Sequence, residues 1–288
     1  MKTVRTIVSY LLSFVIICLI LLYIAIITLD NKGMNKDYYY KMMEETEYYL
    51  QVSREVDSGF EDYIYQSGLP EDTLDNLVSD EKIRADINGI FESLFNEDVT
   101  YEISTEELDK ELDARINAFL KTQNKTLTKE EKGNITKFEA LISSSYKKNI
   151  KLSDNVNVYV KQLLLTIQKL ANKFNSFPMV ISIAAILILL IECRERIYDV
   201  IKYIGVSCLG AGIVIKAGYA YLMSKIDIDN VLLFQKSFTN LIQNIFKDIS
   251  YGLSNIATGL IVGGMTLIVV YAIFRAFLKE KKEILKKA

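Results

Sequence analysis

Two apolar stretches, separated only by a short charged turn, make up residues 177–223. Each stretch is long enough to cross a bilayer as a helix. The turn, residues 194–202, carries Arg194, Glu195, Arg196 and Lys202. Because short loops rich in Lys and Arg stay on the cytoplasmic side of a membrane, the pattern predicts a transmembrane hairpin with its turn inside the cell.

Two further apolar stretches extend this hairpin to four predicted spans. Residues 7–29 are 23 uncharged residues that follow Lys2 and Arg5 and lack a signal-peptide cleavage site. We therefore expect residues 1–29 to be a cytoplasmic N-terminus and an uncleaved signal anchor. Residues 256–278 form the fourth predicted span, and the basic tail 279–288 follows it. Both termini are then predicted to be cytoplasmic.

Residues 30–176 are predicted to form a helical domain outside the cell, between the first and second spans. They hold 28 Asp and Glu against 19 Lys and Arg, a net charge of −9. Apolar residues recur at helical spacing, as in Val52, Val56 and Phe60 of a helix expected over residues 36–66, which Gly68 would end. Residues 99–103 are the one plausible strand. Residues 224–255 are expected to form a separate amphipathic helix, also outside. The predicted fold class is an all-α, four-helix integral membrane protein with an all-helical extracytoplasmic domain.

Hydroxyl residues followed by carboxylates mark where the external helices are expected to begin. Ser79 can cap one helix. The segments Ser104-Thr105-Glu106-Glu107 and Thr128-Lys129-Glu130-Glu131 both match the capping box, in which a hydroxyl and a later carboxylate bind each other's unpaired amides.

The composition argues against several classes of function. The chain has no His, the commonest metal ligand and acid–base catalyst near neutral pH, and its three cysteines all fall in or beside predicted spans. We find no phosphate-binding loop, nucleophile motif or zinc helix. The acidic domain argues against a nucleic-acid partner. We therefore predict a protein that is not an enzyme and has no catalytic residues, cofactor or metal.

Lys216 is the candidate functional residue of the third span. It lies seven residues from the predicted outer end of that span. Burying a lysine alone costs ~2.5–3.5 kcal/mol at the centre of a membrane helix, so such a residue suggests function. The alternative is that its stem reaches outward to the surface. Asp227, Asp229 and Asp248 are the nearest candidate counter-ions.

Gly259 and Gly263 are four residues apart in the fourth span, a spacing that permits close approach of two helices. They are predicted to pack spans three and four together. A homodimer contact is the alternative.

Two groups of residues carry resemblances to known proteins. Arg194-Glu195-Arg196, Lys202 and Gly205-Val206-Ser207 resemble the intracellular turn of FtsX/MacB-type permease subunits, which work with a separate cytoplasmic ATPase. Residues 63–69, Tyr-Ile-Tyr-Gln-Ser-Gly-Leu, and 202–207, Lys-Tyr-Ile-Gly-Val-Ser, are similar to uncharacterised four-span membrane proteins of clostridia and related bacteria. The second resemblance implies a Gram-positive bacterium, and it supplies no activity that could be carried over to this chain.

The functional expectation follows from the imbalance between a large outside domain and a small cytoplasmic side. We expect a multi-pass plasma-membrane protein that acts as an external sensing or binding subunit, or as an accessory subunit of a membrane complex. Its partners would be the lipid bilayer and a membrane or cytoplasmic protein that docks at the turn. The alternative is a permease or transporter subunit that works with a cytoplasmic ATPase.

Overall fold

Most of the residues that the structure describes are helical. The computed structural model describes residues 2–96, 98–124, 127–151, 154–174, 177–193, 198–227 and 235–287. No strand occurs in these ranges, and residues 99–103, expected as a short strand, are irregular. The all-helical fold class is confirmed. The α-helices are α1 (Lys2–Thr28), α2 (Lys36–Glu45), α3 (Tyr48–Ser67), α4 (Asp80–Phe95), α5 (Glu106–Thr122), α6 (Lys129–Ile150), α7 (Asp154–Phe174), α8 (Phe177–Glu192), α9 (Asp199–Lys225) and α10 (Lys236–Lys287).

Among the described residues, three helical segments are long and apolar enough to cross a membrane: Val4–Gly33, Asp199–Lys225 and Lys236–Lys279. Helix α8, predicted as the second span, is also apolar but has only 16 residues. At the helical rise this is roughly 24 Å, less than the ~30 Å of a typical hydrocarbon core. Of the four spans that the sequence predicts, three therefore correspond to candidate spans in the described residues, and the second corresponds to the shorter apolar helix α8.

The chain divides into two compact units. The first unit comprises Met1–Gly33, Gln168–Val231 and Ile245–Ala288, and the second comprises Met34–Ile167 and Leu232–Asn244. Helix α10 contributes to both units.

In the first unit, α1 packs against α8 and α9. Ile16 and Leu19 of α1 form an apolar cluster with Ala185 of α8. The contact between α1 and α9 includes a polar bond, because the buried Ser207 donates a hydrogen bond to the carbonyl of Ser13 at 3.1 Å. Small hydroxyl residues of this kind let membrane helices approach closely and bind across the contact.

Helices α9 and α10 meet along four small residues, Gly205 and Gly212 on α9 and Ala257 and Gly264 on α10, which we call the small-residue seam. A Cβ atom on Gly264 would lie 2.7 Å from the carbonyl oxygen of Gly205 and 2.6 Å from the amide nitrogen of Leu209. One on Gly212 would lie 2.8 Å from the carbonyl oxygen of Ala257. Positions 212 and 264 require glycine because the two backbones leave no room there for a side chain.

In the second unit, the helix expected over residues 36–66 is two helices, α2 and α3. The break is at Glu47, whose φ of 53° lies in the left-handed region. The Thr46 hydroxyl donates to the carbonyl of Met42 at 2.7 Å, and so satisfies the end of α2 locally. The prediction that Gly68 ends the helix is confirmed, and its φ is 71°.

Helices begin at all three predicted starts, and two of the three predicted caps are confirmed. Ser79 accepts a hydrogen bond from the amide of Lys82 at 3.2 Å. Thr128 and Glu131 form both halves of the predicted capping box. The box predicted at residues 104–107 is wrong, because Thr105 stands at the start of α5 and its hydroxyl donates to the carboxylate of Asp109 at 3.1 Å.

The core of the second unit lies where the predicted apolar faces meet. Helices α3, α4, α5 and α6 each contribute a row of buried residues at helical spacing. Members of these rows are Val52, Val56, Phe60, Ile83, Ile87, Leu112, Ile116, Ile142 and Tyr146.

Helix α10 is one helix of 52 residues. The sequence separated it into an external helix over residues 224–255 and a span from Ile256 onward, but no interruption occurs at that boundary. Residues 228–234, which belong to the predicted external helix, lie outside the described residues.

Candidate functional site

Lys216 is bound across the contact between α9 and α10. Its ammonium donates to the hydroxyl of Ser254 at 2.6 Å and to the carbonyl of the same residue at 3.3 Å. None of the ion pairs among the described residues includes Lys216, and its predicted counter-ion Asp248 pairs with Lys32 at 2.7 Å. Asp229 lies outside the described residues. A hydroxyl and a carbonyl therefore hold the charge, in an arrangement suited to joining two helices.

The predicted docking turn is described only in part. Arg194, Glu195 and Arg196 lie outside the described residues. Lys202 lies in the first turns of α9, and its ammonium donates to the Tyr10 hydroxyl at 3.0 Å. It also lies 5.1 Å from the ring centroids of both Tyr10 and Tyr203, within cation–π range. Lys202 thus binds tyrosines of its own unit.

Gly259 and Gly263 do not pack against α9. A Cβ atom at either position would meet no described atom within 4 Å, and both residues are exposed. The contact uses Ala257 and Gly264 instead, and Gly259 lies about 200° around the helix from Ala257. The prediction of intramolecular packing is therefore wrong for these two glycines, while the homodimer alternative stays a prediction.

A fully buried carboxylate, Asp86 of α4, is the centre of a polar cluster that the sequence analysis missed. Its side chain accepts hydrogen bonds from Lys82 at 2.7 Å, from Tyr101 at 2.5 Å and from Tyr146 of α6. Gly89 makes room for this cluster, because a Cβ atom there would lie 2.2 Å from the Tyr101 ring. The pairing of Lys82 with Asp86 one helical turn later was the available signal.

The Asp86 cluster is suited to holding helices together. Burial raises the pKa of Tyr101 to about 12, and the hydrogen bond to the Asp86 carboxylate and its negative charge act in the same direction. The same causes raise the pKa of Tyr146. Neutral phenols thus donate to one buried carboxylate and join α4, α6 and the segment before α5.

The start of α10 is bound by α3 within the second unit. Glu55 accepts from the backbone amide of Ser237 at 2.8 Å and from its hydroxyl at 2.7 Å. Asn240 donates to the side chain of Gln51 at 2.8 Å. A carboxylate at the first turn satisfies an unpaired amide and complements the positive end of the helix dipole. The adjoining cleft, of about 620 Å³, is lined mainly by polar residues.

An apolar cavity of about 530 Å³ lies between the end of α3, the second half of α5 and the first half of α6. Volumes of this order are usual for small-molecule sites. The cavity is partly open to solvent. Its apolar walls include Tyr63, Ile116, Phe119, Ile135, Phe138 and Leu141.

The edge of the apolar cavity carries a few polar side chains. Asn134 and Lys137 of α6 are both exposed there. The carboxylate of Glu131 also lines the cavity, but it accepts two hydrogen bonds from Thr128, at 2.9 Å from the amide and 3.0 Å from the hydroxyl. Lys137 forms no ion pair with a described residue.

Phe119 of α5 and Ile135, Phe138 and Leu141 of α6 fall at the helical spacing that is typical of core residues. In the structure Ile142 fills the core, whereas the neighbouring Leu141 is 49% exposed. Two adjacent apolar residues on α6 make its apolar stripe wider than one packing face requires, and this width was the available signal for the cavity.

Cys18, Cys193 and Cys208 form no disulfide. Within the described part of the chain, no three or more His, Cys, Asp or Glu side chains are grouped so that they could hold a metal ion. Comparison of the chain with family models, curated proteins and solved structures gives no match.

Proposed function

We propose that this chain is a four-span protein of a Gram-positive plasma membrane, with both termini in the cytoplasm and the second unit outside. There it serves as a non-enzymatic binding or accessory module of a membrane complex. The proposal rests mainly on the division of the chain into two units. Helices α1, α8 and α9 and most of α10 belong to the first unit, whereas α2 to α6, most of α7 and the start of α10 belong to the second. A chain that combines a polar, self-contained helical unit with an apolar one fits a solvent-exposed domain on a membrane anchor.

The packing of α8 supports its role as the second of the four spans. Ala185 and Leu189 on one side of α8 are buried in apolar clusters of the first unit. Val180, Leu187 and Ile191 on other sides are apolar and exposed. A helix that is apolar all round suits a lipid environment, and local thinning of the bilayer accommodates a short one at modest cost.

A binding role is supported by the apolar cavity of the second unit. The turn 194–202 would then lie on the cytoplasmic side, where a protein partner would receive an event at the second unit. A cytoplasmic ATPase at the turn, as the resemblance to permease subunits implies, is the alternative form of that partner.

Cysteine labelling tests the topology. In a chain whose three cysteines are replaced by serine or alanine, single cysteines are introduced as Tyr65→Cys, Arg196→Cys and Lys279→Cys. An impermeant maleimide applied to intact cells should label only the first, and the other two should react only after lysis. Labelling of Arg196→Cys in intact cells would show that α8 does not span, and protection of Tyr65→Cys would place the second unit inside.

Affinity purification from the native membrane in mild detergent, quantified against a mock purification, tests for the partner. A stoichiometric partner other than an ATPase is the expected result. A stoichiometric ATPase would make the chain a permease subunit, and purification of the chain alone would contradict the complex.

A further inference from the structure

We infer that the apolar cavity of the second unit binds a single-chain anionic amphiphile, with the hydrocarbon chain in the cavity and the acid group at Lys137. The inference deepens the proposed function and rests on it, because it supplies the ligand class of the proposed binding module.

The walls of the apolar cavity leave apolar surface uncovered. Leu141 is 49% exposed, and Phe119, Ile135 and Phe138 are only partly buried although all four belong to the apolar faces of α5 and α6. Covering this surface with hydrocarbon removes it from water, which is favourable in proportion to the area buried. A ligand with a flexible hydrocarbon chain matches walls made of aliphatic and aromatic side chains from three helices.

The edge of the cavity favours an acid group over an amine. Lys137 is exposed at this edge and forms no ion pair with a described residue. The carboxylate of Glu131 already accepts two hydrogen bonds from Thr128. The cavity also lies beside the first turns of α6, whose helix dipole is positive at that end. A lysine stem can lie over the hydrocarbon while its ammonium reaches the head group.

Binding is measured with the full chain in nanodiscs of neutral lipid, with a dansyl-labelled medium-chain fatty acid as the probe. The amine-headed analogue of the same probe and empty nanodiscs serve as controls. We expect saturable binding of the acid above the empty-nanodisc signal and weaker binding of the amine. Competition with unlabelled decanoic acid and with decyl phosphate then shows whether the acid group is a carboxylate or a phosphate.

Two matched pairs of variants locate the site. Lys137→Gln should weaken binding of the acid by about fivefold, the effect of a partly exposed charge pair, whereas Lys132→Gln on the same helix should not. Leu141→Trp should fill the cavity and abolish binding of the acid and amine probes, whereas Val99→Trp, an exposed position outside the cavity, should not. Lys137→Glu should reverse the preference toward the amine, a gain that a misfolded chain cannot show.

The inference is overturned if the wild-type chain shows no saturable binding, if Lys137→Gln and Lys132→Gln behave alike, or if Leu141→Trp binds normally. Its failure is separable from that of the proposed function. If Tyr65→Cys is labelled in intact cells but the fatty-acid probe does not bind, the topology is supported and the ligand class is refuted. If the probe binds but Tyr65→Cys is protected, the ligand class is supported and the topology is refuted.

Discussion

Replacing Gly264 with alanine adds one methyl group at the closest point of the small-residue seam. The new Cβ would lie 2.6 Å from the amide nitrogen of Leu209 and 2.7 Å from the carbonyl oxygen of Gly205. Both obstacles are backbone atoms, which cannot rotate away as a side chain can. Helix α10 must therefore shift, and overpacking of this kind typically costs ~1–3 kcal/mol.

The neighbouring residue gives a matched control, because Gly263 is exposed and a Cβ there meets no described atom within 4 Å. Gly263→Ala should leave stability unchanged or raise it by up to ~1 kcal/mol through helix propensity. A second pair repeats the comparison on α9, where Gly212→Ala meets Ala257 and Gly218→Ala meets no described atom within 4 Å.

The assay is unfolding of the purified chain by SDS titration from mild-detergent micelles, followed by circular dichroism. We expect Gly264→Ala and Gly212→Ala to lower the free energy of unfolding, and Gly263→Ala and Gly218→Ala to leave it unchanged or raise it slightly. Equal stability within either pair would refute the close contact between α9 and α10.

Three further predictions concern single contacts. Glu55→Ala removes the carboxylate at the start of α10 and should cost ~0.5–2 kcal/mol. Hydrogen exchange at the amides of residues 236–244 should then be faster in Glu55→Ala than in the wild-type chain. The control variant Glu61→Ala should leave it unchanged. Unchanged exchange in Glu55→Ala would refute the capping role. Because the pKa of Tyr101 is about 12 in the folded chain against 10.0 for an ordinary tyrosine, the unfolded chain releases this proton first. Stability from this source is present below pH ~10 and lost as the pH rises toward ~12, so Tyr101→Phe should reduce the alkaline fall in melting temperature and the exposed Tyr65→Phe should not. Lys216→Met should lower the free energy of unfolding by ~1 kcal/mol through loss of the bonds to Ser254, with Lys225→Met as the control. If Lys216→Met changes neither the free energy of unfolding nor the growth of cells that carry it, Lys216 has neither a structural nor a functional role.

Helical periodicity and local caps were predictable from the sequence because both depend on residues close together in the chain. The buried rows of α3 and α4 and the caps at Ser79 and Thr128 follow from spacing alone. The break at Glu47 was not predictable in this way. A continuous apolar pattern crosses it, and the left-handed turn there is occupied by a residue other than glycine or asparagine.

The candidate sites were harder to predict because they depend on the rotation of one helix against another. Gly259 and Gly263 have the spacing of a packing motif, but α10 turns Ala257 and Gly264 toward α9 instead. Likewise, Leu141 has the periodicity of a core residue, and only the positions of α3 and α5 show that it lines a cavity.

The small-residue seam also bears on how this chain can diverge over evolution. Gly205 and Gly212 are seven residues apart on α9, and so are Ala257 and Gly264 on α10. Because each of the three glycines faces the backbone of the other helix, a larger residue there cannot be accommodated by a smaller one opposite, as it could between two side chains. The close contact between α9 and α10 places no constraint on surface residues, which can be substituted while the two seven-residue spacings of small residues are retained. Distant relatives should therefore be recognisable by paired small residues at that interval in their last two apolar helices, even where the rest of the alignment has been lost.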